Sequence, residues 1–220
     1  MTARSTAHRL AGALVGVALL CAATETRQRP TPRTFDTERP GAPEGLTFAA
    51  MRQPNPGVWT IRRDGANGVL LHAADPSATG YALAIAKAPP LREVVASVRL
   101  RLTGGARAGG LVWQYHDENN YYAAVLDLAR QELSMYRIVA GNRTRLEFED
   151  DLELDTEAWH TMKVRHDEDE IAVSIGGIEV FEEHGRSTRI TTPGRAGLLA
   201  TGHSEVWFDD WRVEPRQGRR

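Results

Sequence analysis

Apolar and polar residues alternate with a period of two along most of the chain. In Val94-Val-Ala-Ser-Val-Arg-Leu-Arg-Leu102, one face takes Val94, Ala96, Val98, Leu100 and Leu102. The other takes Ser97, Arg99 and Arg101, with Val95 as the exception. Such alternation is a strand with one dry and one wet face. Similar runs predict strands over Val58–Arg62, Val69–Ala73, Tyr81–Ala86, Leu111–His116, Tyr121–Leu128, Glu132–Val139 and Thr144–Glu149. Trp159–His166, Glu170–Ile175, Glu179–Glu182, Arg195–Thr201 and Glu205–Val213 follow. Tight-turn pairs such as Asp64-Gly65, Asn67-Gly68, Gly141-Asn142 and Gly176-Gly177 separate them. No segment carries a long apolar stripe at helical spacing. More than ten short strands predict an all-β sandwich or barrel.

At 220 residues and 41% hydrophobic the chain suits one sizeable core. A net charge of −2 disfavours nucleic acid as a partner, since phosphate binding needs a basic surface. The N-terminus predicts an export signal over residues 1–23. Arg4, His8 and Arg9 precede the apolar run Leu10–Leu20, and small Ala22 and Ala23 follow. That run is too short to span a bilayer, so no transmembrane segment is expected. A periplasmic or extracellular location follows. Cys21, the single cysteine, raises a lipid anchor, but Leu20 stands where a lipobox needs a small residue. Residues 24–33 read as a flexible tether, 34–214 as the folded domain and 215–220 as a disordered tail.

The segment Gly110-Leu-Val-Trp-Gln-Tyr-His-Asp-Glu-Asn-Asn-Tyr-Tyr122 resembles the exported bacterial family described as 3-keto-disaccharide hydrolase-like. That family lies among the laminin G and concanavalin A-like jelly rolls. Further agreement comes from Gly57-Val-Trp59, Met135-Tyr-Arg137, Trp159-His160-Thr161, Gly194-Arg-Ala-Gly197 and Phe208-Asp-Asp-Trp-Arg-Val213. The resemblance implies a jelly-roll β-sandwich of two curved antiparallel sheets, with a concave face able to hold sugar. Relatives bind sugars or act on oxidised disaccharides. The chain departs from the family at Val125 and Asp127, where relatives often carry arginine and asparagine.

Sugar recognition needs planar polar groups for hydroxyls and an aromatic to stack on the ring. Gln114, Asp127 and Arg137 offer the first; Trp113, Tyr115 and Tyr121 offer the second. These residues and His116 fall on consecutive predicted strands and are expected to converge on one sheet face. The leading expectation is a carbohydrate-binding module without chemistry. The alternative is a 3-keto-disaccharide hydrolase, with Asp127 or His116 as base and Arg137 stabilising the oxyanion. A third is an envelope protein-interaction domain.

Glu149-Asp-Asp-Leu-Glu153 formally resembles the E-x-D-x-E pattern of laminarinase-type retaining glycosidases, and alternation would put Glu149, Asp151 and Glu153 on one face. Their chemistry needs the two working carboxyls about 5–5.5 Å apart. The competing expectation is a solvated acidic edge. No cofactor is expected beyond a structural calcium, for which Asp117, in Asp117-Glu-Asn-Asn120, and Asp209 supply oxygen ligands. Asp-Glu-Asn-Asn is equally ordinary turn chemistry. The histidines show no zinc spacing, there is no G-x-S-x-G elbow, and the glycine-rich Gly104–Gly110 stretch lacks a P-loop lysine.

Overall fold

A computed structural model describes residues 31–167, 170–184, 190 and 192–216. The expected export signal, with Cys21, and most of the expected tether lie outside the described residues. Fourteen strands make up the described chain. They are β1 (Leu46–Met51), β2 (Val58–Asp64), β3 (Asn67–Ala73), β4 (Tyr81–Ala86), β5 (Val94–Gly104), β6 (Ala108–Asp117) and β7 (Asn120–Asp127). Then follow β8 (Glu132–Val139), β9 (Asn142–Glu149), β10 (His160–His166), β11 (Glu170–Ile175), β12 (Ile178–His184), β13 (Arg195–Thr201) and β14 (Glu205–Pro215).

They form two seven-stranded sheets, ordered β1-β4-β13-β6-β7-β8-β9 and β12-β11-β10-β5-β14-β3-β2. The strand pairings are antiparallel. This is the jelly-roll sandwich that the alternation and the resemblance predicted. β5 shows why. Val94, Ala96, Val98, Leu100 and Leu102 are buried, while the residues between them are part-exposed. They meet Leu111, Trp113, Ala124, Leu126, Met135 and Leu198 of the first sheet in one core. Each buried Val, Leu or Met among them contributes about 1.5–3 kcal/mol.

A second apolar cluster lies on the other side of the first sheet. Met51, Tyr81, Leu83, Ile85, Val112, Tyr121, Ala123, Ile138 and Leu199 are buried there, all from that one sheet. A flat sheet would leave this face wet. The sheet curls until its own side chains cover it, so β4 and β7 are buried on both faces and read as continuous apolar runs.

Three expectations shift. β1 carries no predicted strand, because Leu46-Thr-Phe-Ala-Ala-Met51 does not alternate and is alanine-rich. Arg33, assigned to the tether, belongs to the folded body. Its amide donates to the Trp211 carbonyl at 2.7 Å and its side chain pairs with Glu38. At the other end β14 runs on through Pro215, and the Arg216 amide donates to Glu93 O.

Candidate functional site

The curled face of the first sheet holds the residues best placed for ligand chemistry. Its corners meet across the hollow. The Tyr121 hydroxyl donates to Met51 Sδ at 3.0 Å, Arg143 Nη1 donates to the Tyr81 oxygen at 2.6 Å, and Arg52 donates to the Gly141 carbonyl at 3.2 Å. These contacts close one part of the hollow. The rest opens as a pocket of about 260 Å³, lined by Tyr81, Asp127, Glu132, Ser134, Tyr136 and Arg143, among others.

Register explains the set. Asp127 of β7 stands opposite Glu132 of β8, Val125 opposite Ser134, and Ala123 opposite Tyr136. Opposed residues in such a pair have Cβ atoms about 4.5–5.5 Å apart. Arg143 lies between two rings, 5.7 Å from the Tyr81 centroid and 4.7 Å from that of Tyr136. Two rings and one hydrogen bond hold this guanidinium, leaving other N–H groups free to donate. Burial raises the Tyr81 phenol pKa, with Arg143 opposing, so the ring stays neutral and can donate in turn. One Asp127 carboxylate oxygen accepts the Arg130 amide at 3.1 Å; the Glu132 carboxylate accepts from Ser134 and from Arg145 at 3.4 Å. At the rim, Phe148 pairs in register with Ser134, is 47% exposed, and lies under the Arg145 guanidinium at 4.0 Å.

The residues singled out from sequence do not form one set. Asp127 lines the open pocket. Tyr121 and Tyr115 lie on the same curled face but pack into its apolar cluster, rings 5.9 Å apart. Burial, with help from Glu118 and Asp117, pushes the Tyr115 phenol up to about 12. Trp113 is in the intersheet core, stacked on Tyr122, with its indole N–H donating to His166 Nδ1 at 3.0 Å. Gln114 is 2% exposed and held in a bulge at φ 48°, where its amide donates to Arg92 O. His116 is exposed at the rim beside Thr192. Arg137 follows Met135 on the core side of β8, opposite Tyr122, while Tyr136 and Ile138 face the hollow. Period two therefore separates Arg137 from Asp127, and the expected base–oxyanion pair is not assembled.

Glu149, Asp151 and Glu153 do not share a strand face either. β9 ends at Glu149, Asp151 and Glu153 adopt positive φ (60° and 51°), and Leu152, between them, and Leu154, after them, pack against the core. Gln131 ties this segment down, accepting from the Leu154 amide at 2.7 Å. The exposed acidic edge is what remains. Asp117 caps its own turn, accepting from the Asn119 amide and the Asn120 side chain. Asp209 is buried, accepts from Asn67 and the Asp210 amide, and has its pKa raised by burial. Among the described residues no group of three or more His, Cys, Asp or Glu side chains is placed to hold a metal.

Sequence reasoning missed Tyr81, Glu132, Tyr136 and Arg143. Tyr136 and Glu132 were within reach, because they alternate in phase with Ile138 on a strand that was predicted correctly. Nothing in the sequence brings Tyr81 to Arg143.

Solved structures with this fold are numerous. A carbohydrate binding module, CBM66 from Bacillus subtilis, superposes with a TM-score of 0.63 at 15% identity, covering 80% of this chain and 99% of that one. A mixed linkage glucan GH16 protein of Bacteroides ovatus gives 0.55 at 12% identity, covering 79% and 96%. Domain 4 of AbnA, a GH43 extracellular arabinanase from Geobacillus stearothermophilus solved with arabinotriose, gives 0.56 at 12%, covering 83% and 90%. The likeness is one of fold, a jelly-roll sandwich of two antiparallel sheets. No family model matches the chain, and no curated protein matches it.

Proposed function

We infer that the chain binds carbohydrate in the open part of the curled hollow. One observation carries the reading: two carboxylates, a ring-held guanidinium, a hydroxyl and the Tyr136 ring line a single 260 Å³ pocket. Asp127 and Glu132 accept from sugar hydroxyls, Arg143 donates to them, the Ser134 oxygen, its own proton given to Glu132, accepts, and Tyr136 offers a face for the C–H side of a ring. The volume suits one or two sugar rings rather than an extended chain. Similarity to sugar-binding and sugar-cleaving sandwiches agrees with this reading. The apolar Leu10–Leu20 run adds the proposal that the protein acts outside the cytoplasm.

A second reading is hydrolysis of a 3-keto-disaccharide, the activity of the family that the Gly110–Tyr122 segment resembles. It draws on the same pocket, with Asp127 as base and Arg143 taking the stabilising role once given to Arg137. A glycan array combined with turnover of a 3-keto-disaccharide decides between them, comparing wild type with Asp127→Ala, Arg143→Ala and Tyr136→Ala. Binding lost in the variants without turnover supports the module. Turnover abolished by Asp127→Ala supports the enzyme. Neither binding nor turnover in the wild type rejects both.

A further inference from the structure

The outer face of the second sheet, opposite the hollow, carries a groove of about 530 Å³. Its floor is a row across four strands. Arg212 of β14 stands opposite Ser97 of β5, Ser97 opposite Lys163 of β10, and Lys163 opposite Ser174 of β11. Thr161 lies two residues before Lys163 on the same exposed side of β10. Neighbouring strands are about 4.8 Å apart, so the Arg212 and Lys163 Cα atoms flank Ser97 roughly 10 Å from one another. The small serine leaves the space between two long cationic side chains unfilled.

Charge pairing sets these two cations apart. On the same face Arg99 pairs with Asp210, Arg101 with Asp64, Arg165 with Glu170, Glu179 and Glu182, and Arg216 with Asp167. Among the described residues, Lys163 and Arg212 have no ion-pair partner, and the hydroxyls of Ser97, Thr161 and Ser174 make no hydrogen bond. Glu214 also lines the groove, two residues beyond Arg212, without an ion pair. The unpaired groups therefore sum to one positive charge, beside three hydroxyl donors.

We propose that this groove is a binding site for an oxyanion: a carboxylate, sulfate or phosphate group, free or carried on a larger molecule. Arg212 presents a planar fork suited to two parallel N–H···O bonds. Lys163 supplies a compact charge from the other side, and Ser97, Thr161 and Ser174 donate from the floor. The site is open to solvent, so its affinity falls as salt rises.

The test is calorimetric titration of the full chain at matched ionic strength with inorganic sulfate, inorganic phosphate, D-glucuronate, glucose 6-sulfate and uncharged glucose. Saturable binding of at least one anion is expected, at least tenfold weaker in Lys163→Ala and in Arg212→Ala. Ser97→Glu, which sets a carboxylate between the cations, abolishes it. Asp127→Ala, in the hollow, leaves it intact, so failure of this groove and failure of the hollow are read separately. Tighter binding of the substituted sugars than of the inorganic ions identifies a substituent on a larger molecule; the reverse identifies a free ion. No saturable anion binding, or binding unchanged in both alanine variants, overturns the proposal.

Discussion

Arg143 and Tyr81 stand five strands apart in the first sheet, yet the guanidinium donates to the phenol oxygen at 2.6 Å. Five strand spacings measure about 24 Å along a flat sheet, beyond the combined reach of the two side chains. Their contact is therefore a direct measure of curvature. It joins the strand next to one edge of the sheet to the strand at the other edge, and it orders the guanidinium that faces the open pocket.

Removing that contact gives the first prediction. Tyr81→Phe keeps the ring but not the acceptor, and is expected to cost about 0.5–1 kcal/mol in urea unfolding, because Arg143 is exposed enough to recover water. Ligand affinity is expected to fall more than stability, since a released guanidinium must be ordered again on binding. Equal affinity in the two proteins would detach Arg143 from the site.

His72 makes stability depend on pH. Burial lowers its pKa below the ordinary 6.5. Its Nδ1 lies 2.9 Å from the Ser204 carbonyl and donates to it, so Nε2 carries the lone pair; among the described residues Nε2 is buried without a partner, and the ring packs on Trp59. A proton added at Nε2 would have no acceptor. Because the folded pKa is the lower one, the unfolded chain binds more protons as pH falls below about 6.5. Stability is thus fully present above that value and declines with falling pH until the folded pKa is passed. His72→Asn, which keeps a donor for Ser204, is expected to lower stability at pH 8 but to flatten this slope in urea titrations. An unaltered slope would assign the effect to another group.

Trp113 separates packing from binding. Its indole N–H donates to His166 Nδ1, and its ring stacks on Tyr122 at 5.7 Å between the sheets. Trp113→Phe is expected to cost about 2–3 kcal/mol, from lost volume and a lost buried hydrogen bond. Sugar affinity measured well below the melting temperature should not change. A selective loss of affinity would return Trp113 to the binding face.

The sandwich was legible because burial follows period two. In β5 the predicted dry positions are the buried ones, and β4, β8, β11 and β13 have the predicted limits. The site was legible only in Asp127. Two physical facts hid the rest. Curvature acts at long range, so a sequence pattern cannot show that β4 and β9 face one another across the hollow. Local backbone breaks also reset the alternation. The bulge at Gln114 turns Tyr115 toward the hollow, and the positive φ at Asp151 and Glu153 dissolves the acidic face that simple alternation draws.

The Gln114 bulge carries the last prediction. A Cβ on Gly194 would fall 2.4 Å from the Gln114 carbonyl carbon and 2.8 Å from the Tyr115 amide nitrogen. Gly194 also exchanges both backbone hydrogen bonds with Leu91, so it cannot easily move away. Gly194→Ala must therefore push the bulge, at about 1–3 kcal/mol by the usual cost of overpacking. A displaced bulge loosens Tyr115 from the apolar cluster. Its phenol, held at about 12 chiefly by burial, is expected to titrate closer to the ordinary 10. Ultraviolet titration of the tyrosines, with Tyr115→Phe as the blank, reads this directly. A destabilised Gly194→Ala protein whose Tyr115 still titrates near 12 would show that the bulge does not set the side chain's environment.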